Sequence, residues 1–83
     1  MKREAKTHKL KTIQPYFDAV NANIKTFEIR KNDRDFQVGD TLILQEYDQE
    51  TETYSGKEIE AIILYMTGFA QKDNYVVMSI EQL

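Results

Sequence analysis

Lys25, Glu28 and Arg30 sit within the run Lys25-Thr26-Phe27-Glu28-Ile29-Arg30 and bring together an ammonium, a carboxylate and a guanidinium. A guanidinium forks onto phosphate, an ammonium adds a compact positive charge, and a carboxylate accepts from the N–H groups of a base. Glu28 and Arg30 are two residues apart, so in a strand they share one face. On open sheet that spacing gives only an exposed ion pair worth roughly 0–1 kcal/mol. Lining a cleft, it gives a recognition set. Lys25 has the opposite parity and joins the pair only where an irregular backbone at the start of the strand turns its ammonium.

Other groups with chemical potential are fewer. His8 is the single histidine, and a nucleophilic triad would need it beside Ser55 or Ser79, which read as turn and strand residues. It reads more simply as a polar anchor, with a place on the rim of a ligand site as the functional alternative. Lys31 and Arg34 would extend a cationic rim, and Phe36 and Tyr75 are the rings to consider for stacking a base. The chain lacks cysteine, a Walker loop, a Gly-rich dinucleotide fingerprint and an HExxH pair. No cofactor and no metal site are expected.

The net charge of −3 conceals an asymmetry. Residues 1–34 hold nine Lys or Arg against four Asp or Glu, whereas residues 35–83 hold two against ten. A phosphate backbone responds to local potential and to a few placed cations, so the basic first part keeps a nucleic-acid partner open despite the acidic total. No apolar run approaches the roughly 20 residues of a membrane span. No membrane partner and a cytoplasmic location are expected.

The elements that must position these residues follow from periodicity. His8–Lys11 is a short first strand or an extended lead-in. Ile13, Phe17, Val20 and Ile24 recur at helical spacing, with Pro15 suited to the first turn and Asn21-Ala22-Asn23 to the exit. From Lys25 the period becomes two, which predicts a strand with Phe27 and Ile29 on the core side. Thr41–Tyr47, Lys57–Met66 and Tyr75–Ile80 are further strands, joined through Asn32–Asp35, Val38-Gly39-Asp40, the polar stretch Asp48–Gly56 and a loop containing Gly68 and Asn74. Phe17, Phe27 and Tyr65 are expected in the core. One helix and about four strands with short connections predict a single α+β domain over residues 1–83, its mostly antiparallel sheet curled into a small barrel.

His8-x-Leu10-Lys11, Tyr16-Phe17-x-Ala19-Val20, Lys25 through Arg34 and Val38-Gly39-Asp40 together resemble the ASCH domains of the PUA-like superfamily, in particular their short bacterial and phage branch. The resemblance spans about His8 to Ile80. It implies a PUA-like β-barrel with one main N-terminal helix flanking a cleft, and a role in binding RNA like that of the activating-signal-cointegrator proteins. The Gly-x-Lys-x-x-Glu-x-Arg signature of that family maps its Lys, Glu and Arg onto Lys25, Glu28 and Arg30. Asn23 replaces the glycine, a mild departure because Asn also adopts positive φ. A related branch removes the acyl group from N4-acetylcytidine with a Lys, a Thr three residues later and a downstream Glu. Here Glu28 stands where that Thr would be, and Thr26 lies about 7 Å along the strand from it.

The leading expectation is a module binding RNA or a nucleotide through Lys25, Glu28 and Arg30, with Lys31, Arg34, His8 and Tyr75 as further contacts. The alternative is an amidohydrolase acting on an acylated cytidine, with Lys25 and Glu28 as its catalytic groups. A third reading makes the acids Glu46, Asp48, Glu50, Glu52, Glu58 and Glu60 a surface for a basic partner, although scattered surface acids more commonly serve solubility.

Overall fold

A computed structural model describes residues 3–83. Strand β1 (Thr7–Ile13) leads straight into helix α1 (Gln14–Asn21), followed by β2 (Phe27–Lys31), β3 (Thr41–Asp48), β4 (Thr53–Thr67) and β5 (Tyr75–Gln82). All five strands form one sheet in the order β1-β3-β4-β5-β2. β1 pairs with β3 in parallel, and the other three pairings are antiparallel. The sheet is therefore mixed, and β1 is a full strand, which adds a fifth to the four expected from the sequence. The period of two was hidden in β1 because two of its three buried residues, His8, Leu10 and Thr12, are polar.

The two edge strands, β1 and β2, are consecutive strands in the chain, joined only by α1 and a short turn. The sheet curls until these edges face one another: Arg30 of β2 reaches Thr12 of β1 at 3.3 Å, and Arg34 reaches the Lys9 carbonyl at 2.5 Å. The result is a half-barrel open along one seam. Phe17 and Val20 of α1 pack with Leu10, Leu42, Leu44, Ile59, Ala61, Ile63, Met78 and Ile80 in its core. Burying such aliphatic side chains stabilises the fold by about 1.5–3 kcal/mol each, offsetting the ordering of a chain that has no disulfide to assist it.

The helix is shorter than its apolar stripe suggested. Ile13 ends β1 and, with extended backbone, also caps the helix, with Pro15 in the first turn. Ile24, the last member of the stripe, is 79% exposed. Asn23 takes φ +59° where the chain leaves the helix, as its residue type had suggested.

Two expected core rings lie outside. Phe27 is 42% exposed and Tyr65 is 63% exposed. In β4 the register against β5 shifts between Ile63 and Tyr65. Such an irregularity breaks the alternation of faces, so Tyr65 turns outward and Met66 packs against the core in its place. Phe27 is outside because β2 carries its charged residues inward, the reverse of the usual pattern. Phe36 is not a stacking platform either, since it is buried with its ring edge-on to His8, centroids 4.8 Å apart.

No described helix is long and apolar enough to cross a membrane.

Candidate functional site

The inverted strand β2 creates the site. Glu28 is only 2% exposed, although nothing in a strand pattern of alternating apolar residues asks for a buried carboxylate there. Its Oε1 accepts from Arg30 Nε at 2.9 Å and stands 2.9 Å from a terminal guanidinium nitrogen as well. Its Oε2 accepts from Lys25 Nζ at 2.5 Å. One buried acid thus holds two cations, one on each oxygen.

Lys25 reaches this position from outside the strand, so its parity within β2 does not apply. The amides of Ile24 and Lys25 both donate to the Ala19 carbonyl of α1, each at 3.0 Å. With the positive φ at Asn23, this folds the chain back over the helix end and delivers Lys25 at the mouth of β2. The ammonium also donates to the Phe27 carbonyl at 2.6 Å and stands 4.9 Å from the Phe27 ring centroid and 5.7 Å from that of Tyr16. Both are within the range of cation–π attraction.

These residues line a cleft of about 470 Å³ between the two edge strands, walled by Lys11, Thr12 and Ile13 of β1, Tyr16 of α1, and Lys25 with Phe27–Arg30. That volume suits a ligand of nucleotide size. Two cations against one acid leave a net positive lining. One of the ammonium's three donors and one terminal nitrogen of the guanidinium have no partner among the described residues, and both are available to an anion.

Of the seven residues singled out from the sequence, Lys25, Glu28 and Arg30 converge here. The other four do not line the cleft. His8 is buried near the opposite end of β1, where its Nε2 donates to Asp40 at 2.8 Å. Arg34 is engaged with the Lys9 carbonyl across the seam. Lys31 is exposed at the end of β2, and Tyr75 is half-buried opposite it on β5.

Sequence reasoning missed Thr12 and Tyr16. Thr12 places a buried hydroxyl at the cleft, donating to the Leu10 carbonyl at 3.2 Å and accepting from Arg30. It also missed Asp40, which accepts from two Arg3 nitrogens, the Lys6 and Gln37 amides and His8. Burial opposes the Asp40 charge, but these donors outweigh it and hold the carboxyl far below the usual carboxylate range. This second charged cluster ties residues 3–8 to the turn before β3. It is a structural clamp well away from the cleft. No group of three or more His, Cys, Asp or Glu is placed to hold a metal among the described residues.

Residues 7–80 match a domain family described as a domain of unknown function (DUF3850). The chain belongs to that family. It is also similar to an uncharacterised 12.9 kDa protein in the GpA 3′ region of Escherichia phage P2, at 39% identity over 75 residues, which cover 89% of this chain and 67% of the phage protein. The DUF3850 match begins at the first residue of β1 and ends within β5, so it takes in both walls of the cleft.

Proposed function

We propose that this DUF3850 domain binds RNA or a nucleotide in the cleft between β1 and β2. The observation that carries the reading is the buried Glu28 carboxylate holding Lys25 and Arg30 together at the cleft wall. A buried ion cluster of this kind is costly to desolvate and contributes little net stability, so its placement beside an open cleft favours a role in recognition. Lys25 and Arg30 offer their remaining donors to phosphate, and Tyr16 and Phe27 offer ring surface to a base. The resemblance to ASCH domains supports the same reading, because it implies a PUA-like barrel with a helix beside a cleft and maps its signature onto these three residues.

An amidohydrolase acting on an acylated cytidine is the second reading, favoured by the hydroxyl of Thr12 at a cleft that also contains Lys25. That hydroxyl is almost wholly buried and donates to a backbone carbonyl, so it is poorly placed to attack a substrate. Binding is the better account.

Titration of short single-stranded RNAs into the labelled protein at two salt concentrations tests the proposal. Amide shifts confined to residues 25–34 and the adjoining end of β1, weakening as salt rises, are expected. Their absence at low salt would sink it.

A further inference from the structure

Of the two roles expected for the Glu28 carboxylate, accepting from a base or holding Arg30, the structure shows the second and closes the first, since both its oxygens are occupied and the residue is buried. A base entering the cleft must find its hydrogen-bond partners elsewhere. The backbone of β2 supplies them.

The ladder between β2 and β5 fixes which peptide groups are spent. Thr26 O accepts from Ile80 N, and Asn32 N donates to Asn74 O, in the register that pairs Glu28 with Met78 and Arg30 with Val76. In an antiparallel pair, alternate residues turn both N–H and C=O to the same neighbour. Thr26, Glu28, Arg30 and Asn32 therefore face β5, and Phe27, Ile29 and Lys31 face the seam. Two of these three carbonyls are engaged: Phe27 O with Lys25 Nζ, and Lys31 O with Asp33 N. Ile29 has neither group engaged among the described residues. Ile29 is 51% exposed and is among the residues that line the cleft, and the ladder turns its main-chain groups toward that seam.

The opposite wall has the same character. Lys6 O accepts from Thr41 N, which turns the even-numbered residues of β1 toward β3 and the odd-numbered ones toward the seam. Lys9 O receives Arg34, and Lys11 is left facing the cleft with its ammonium drawn away, 4.2 Å from the Tyr47 ring centroid.

On the reading that this cleft takes a nucleotide, we infer that Ile29 N–H and C=O recognise one edge of the base. In extended backbone the two groups of one residue point the same way and lie side by side. They present an adjacent donor and acceptor to the donor and acceptor on neighbouring positions of a base's Watson–Crick edge. Lys25 and Arg30 then hold the phosphate, and Tyr16 and Phe27 border the ring. Base preference comes from the main chain, and charge supplies the anchorage.

The test uses the 15N-labelled protein with the 5′-monophosphates of adenosine, cytidine, guanosine and uridine, and with ribose 5-phosphate as the probe lacking a base. At least one nucleotide is expected to move the Ile29 amide downfield and slow its hydrogen exchange, while the Arg30 amide, already within the ladder, moves less and ribose 5-phosphate leaves Ile29 unchanged. Ile29→Pro removes the N–H at an edge position that tolerates proline. If its β5 amide spectrum is retained, it should bind the nucleotide at least tenfold more weakly and ribose 5-phosphate equally well. If that variant fails to fold, the Ile29 shift in the unaltered protein decides. Nucleotide binding that leaves the Ile29 amide unmoved overturns the inference and leaves the proposed function standing. Binding of no nucleotide and no short RNA overturns both, as does capture of an extended peptide strand at Ile29 in their place.

Discussion

Arg30 crosses the open seam of the half-barrel to donate to Thr12 at 3.3 Å, while its Nε is held by Glu28 on its own strand. One guanidinium thereby joins the two walls of the cleft. Arg30→Lys keeps the charge but not this two-sided grip, so nucleotide affinity should fall about tenfold with the salt dependence retained. Arg30→Ala should also reduce the slope of log K against log salt by about 0.7 for single-stranded RNA. Isothermal titration at three salt concentrations separates the two variants.

Glu28→Gln leaves two half-buried cations without their counter-ion. A loss of about 3 kcal/mol is expected, read from urea unfolding. Lys25→Met should cost less, because Arg30 remains to satisfy the acid. Equal losses in the two variants would show that Glu28 does not organise the cluster.

The Asp40 clamp gives a pH signature of defined sign. Its folded pKa lies below the ordinary 3.8, so its contribution is complete above about pH 4 and drains away as acid drives the carboxyl through its lower folded value. Stability of the unaltered protein should fall steadily below pH 4. Asp40→Asn should be less stable by about 3 kcal/mol at neutral pH and should show a shallower acid decline. Urea midpoints at pH 6, 4 and 2.5 provide the comparison.

Asn23→Ala forces a side chain that disfavours positive φ into φ +59° and removes the oxygen that accepts from Gln82 Nε2 at 2.9 Å. A cost of about 1–2 kcal/mol is expected. Asn23→Gly should recover most of it. Since Asn23 begins the turn that delivers Lys25, the alanine variant should also weaken nucleotide binding, and unchanged affinity would show that the turn does not position the ammonium.

How far the sequence foretold this depends on what kind of information each feature needed. Periodicity exposed β3, most of β4, β5 and the helix face of Phe17 and Val20, because these bury apolar residues at regular spacing. It failed at β1, whose inward His8 and Thr12 are polar, and at Tyr65, where a single shift in register reverses the faces. It misjudged β2 because Phe27 and Ile29 carry an apolar signal yet face outward. The cluster of Lys25, Glu28 and Arg30 was legible as residue types at suggestive spacing, but its convergence depended on a turn geometry that spacing does not encode. His8 and Asp40 are 32 residues apart, and Arg30 and Thr12 are 18 apart. Such partnerships arise only once the sheet order exists.

That order also decides when the cleft comes into being. β2 is made early, yet its one neighbour in the sheet is β5, some 45 residues later in the register that pairs Arg30 with Val76. Until Tyr75–Gln82 has docked, Glu28 has no ladder to hold it inward and Lys25 has no fixed acceptor. A chain emerging from the ribosome carries α1, β1, β3 and β4 before the strand that completes the cleft has been made. Closing so long a loop is entropically costly and slow. Formation of the cleft is therefore coupled to completion of the sheet, and only the finished molecule presents it.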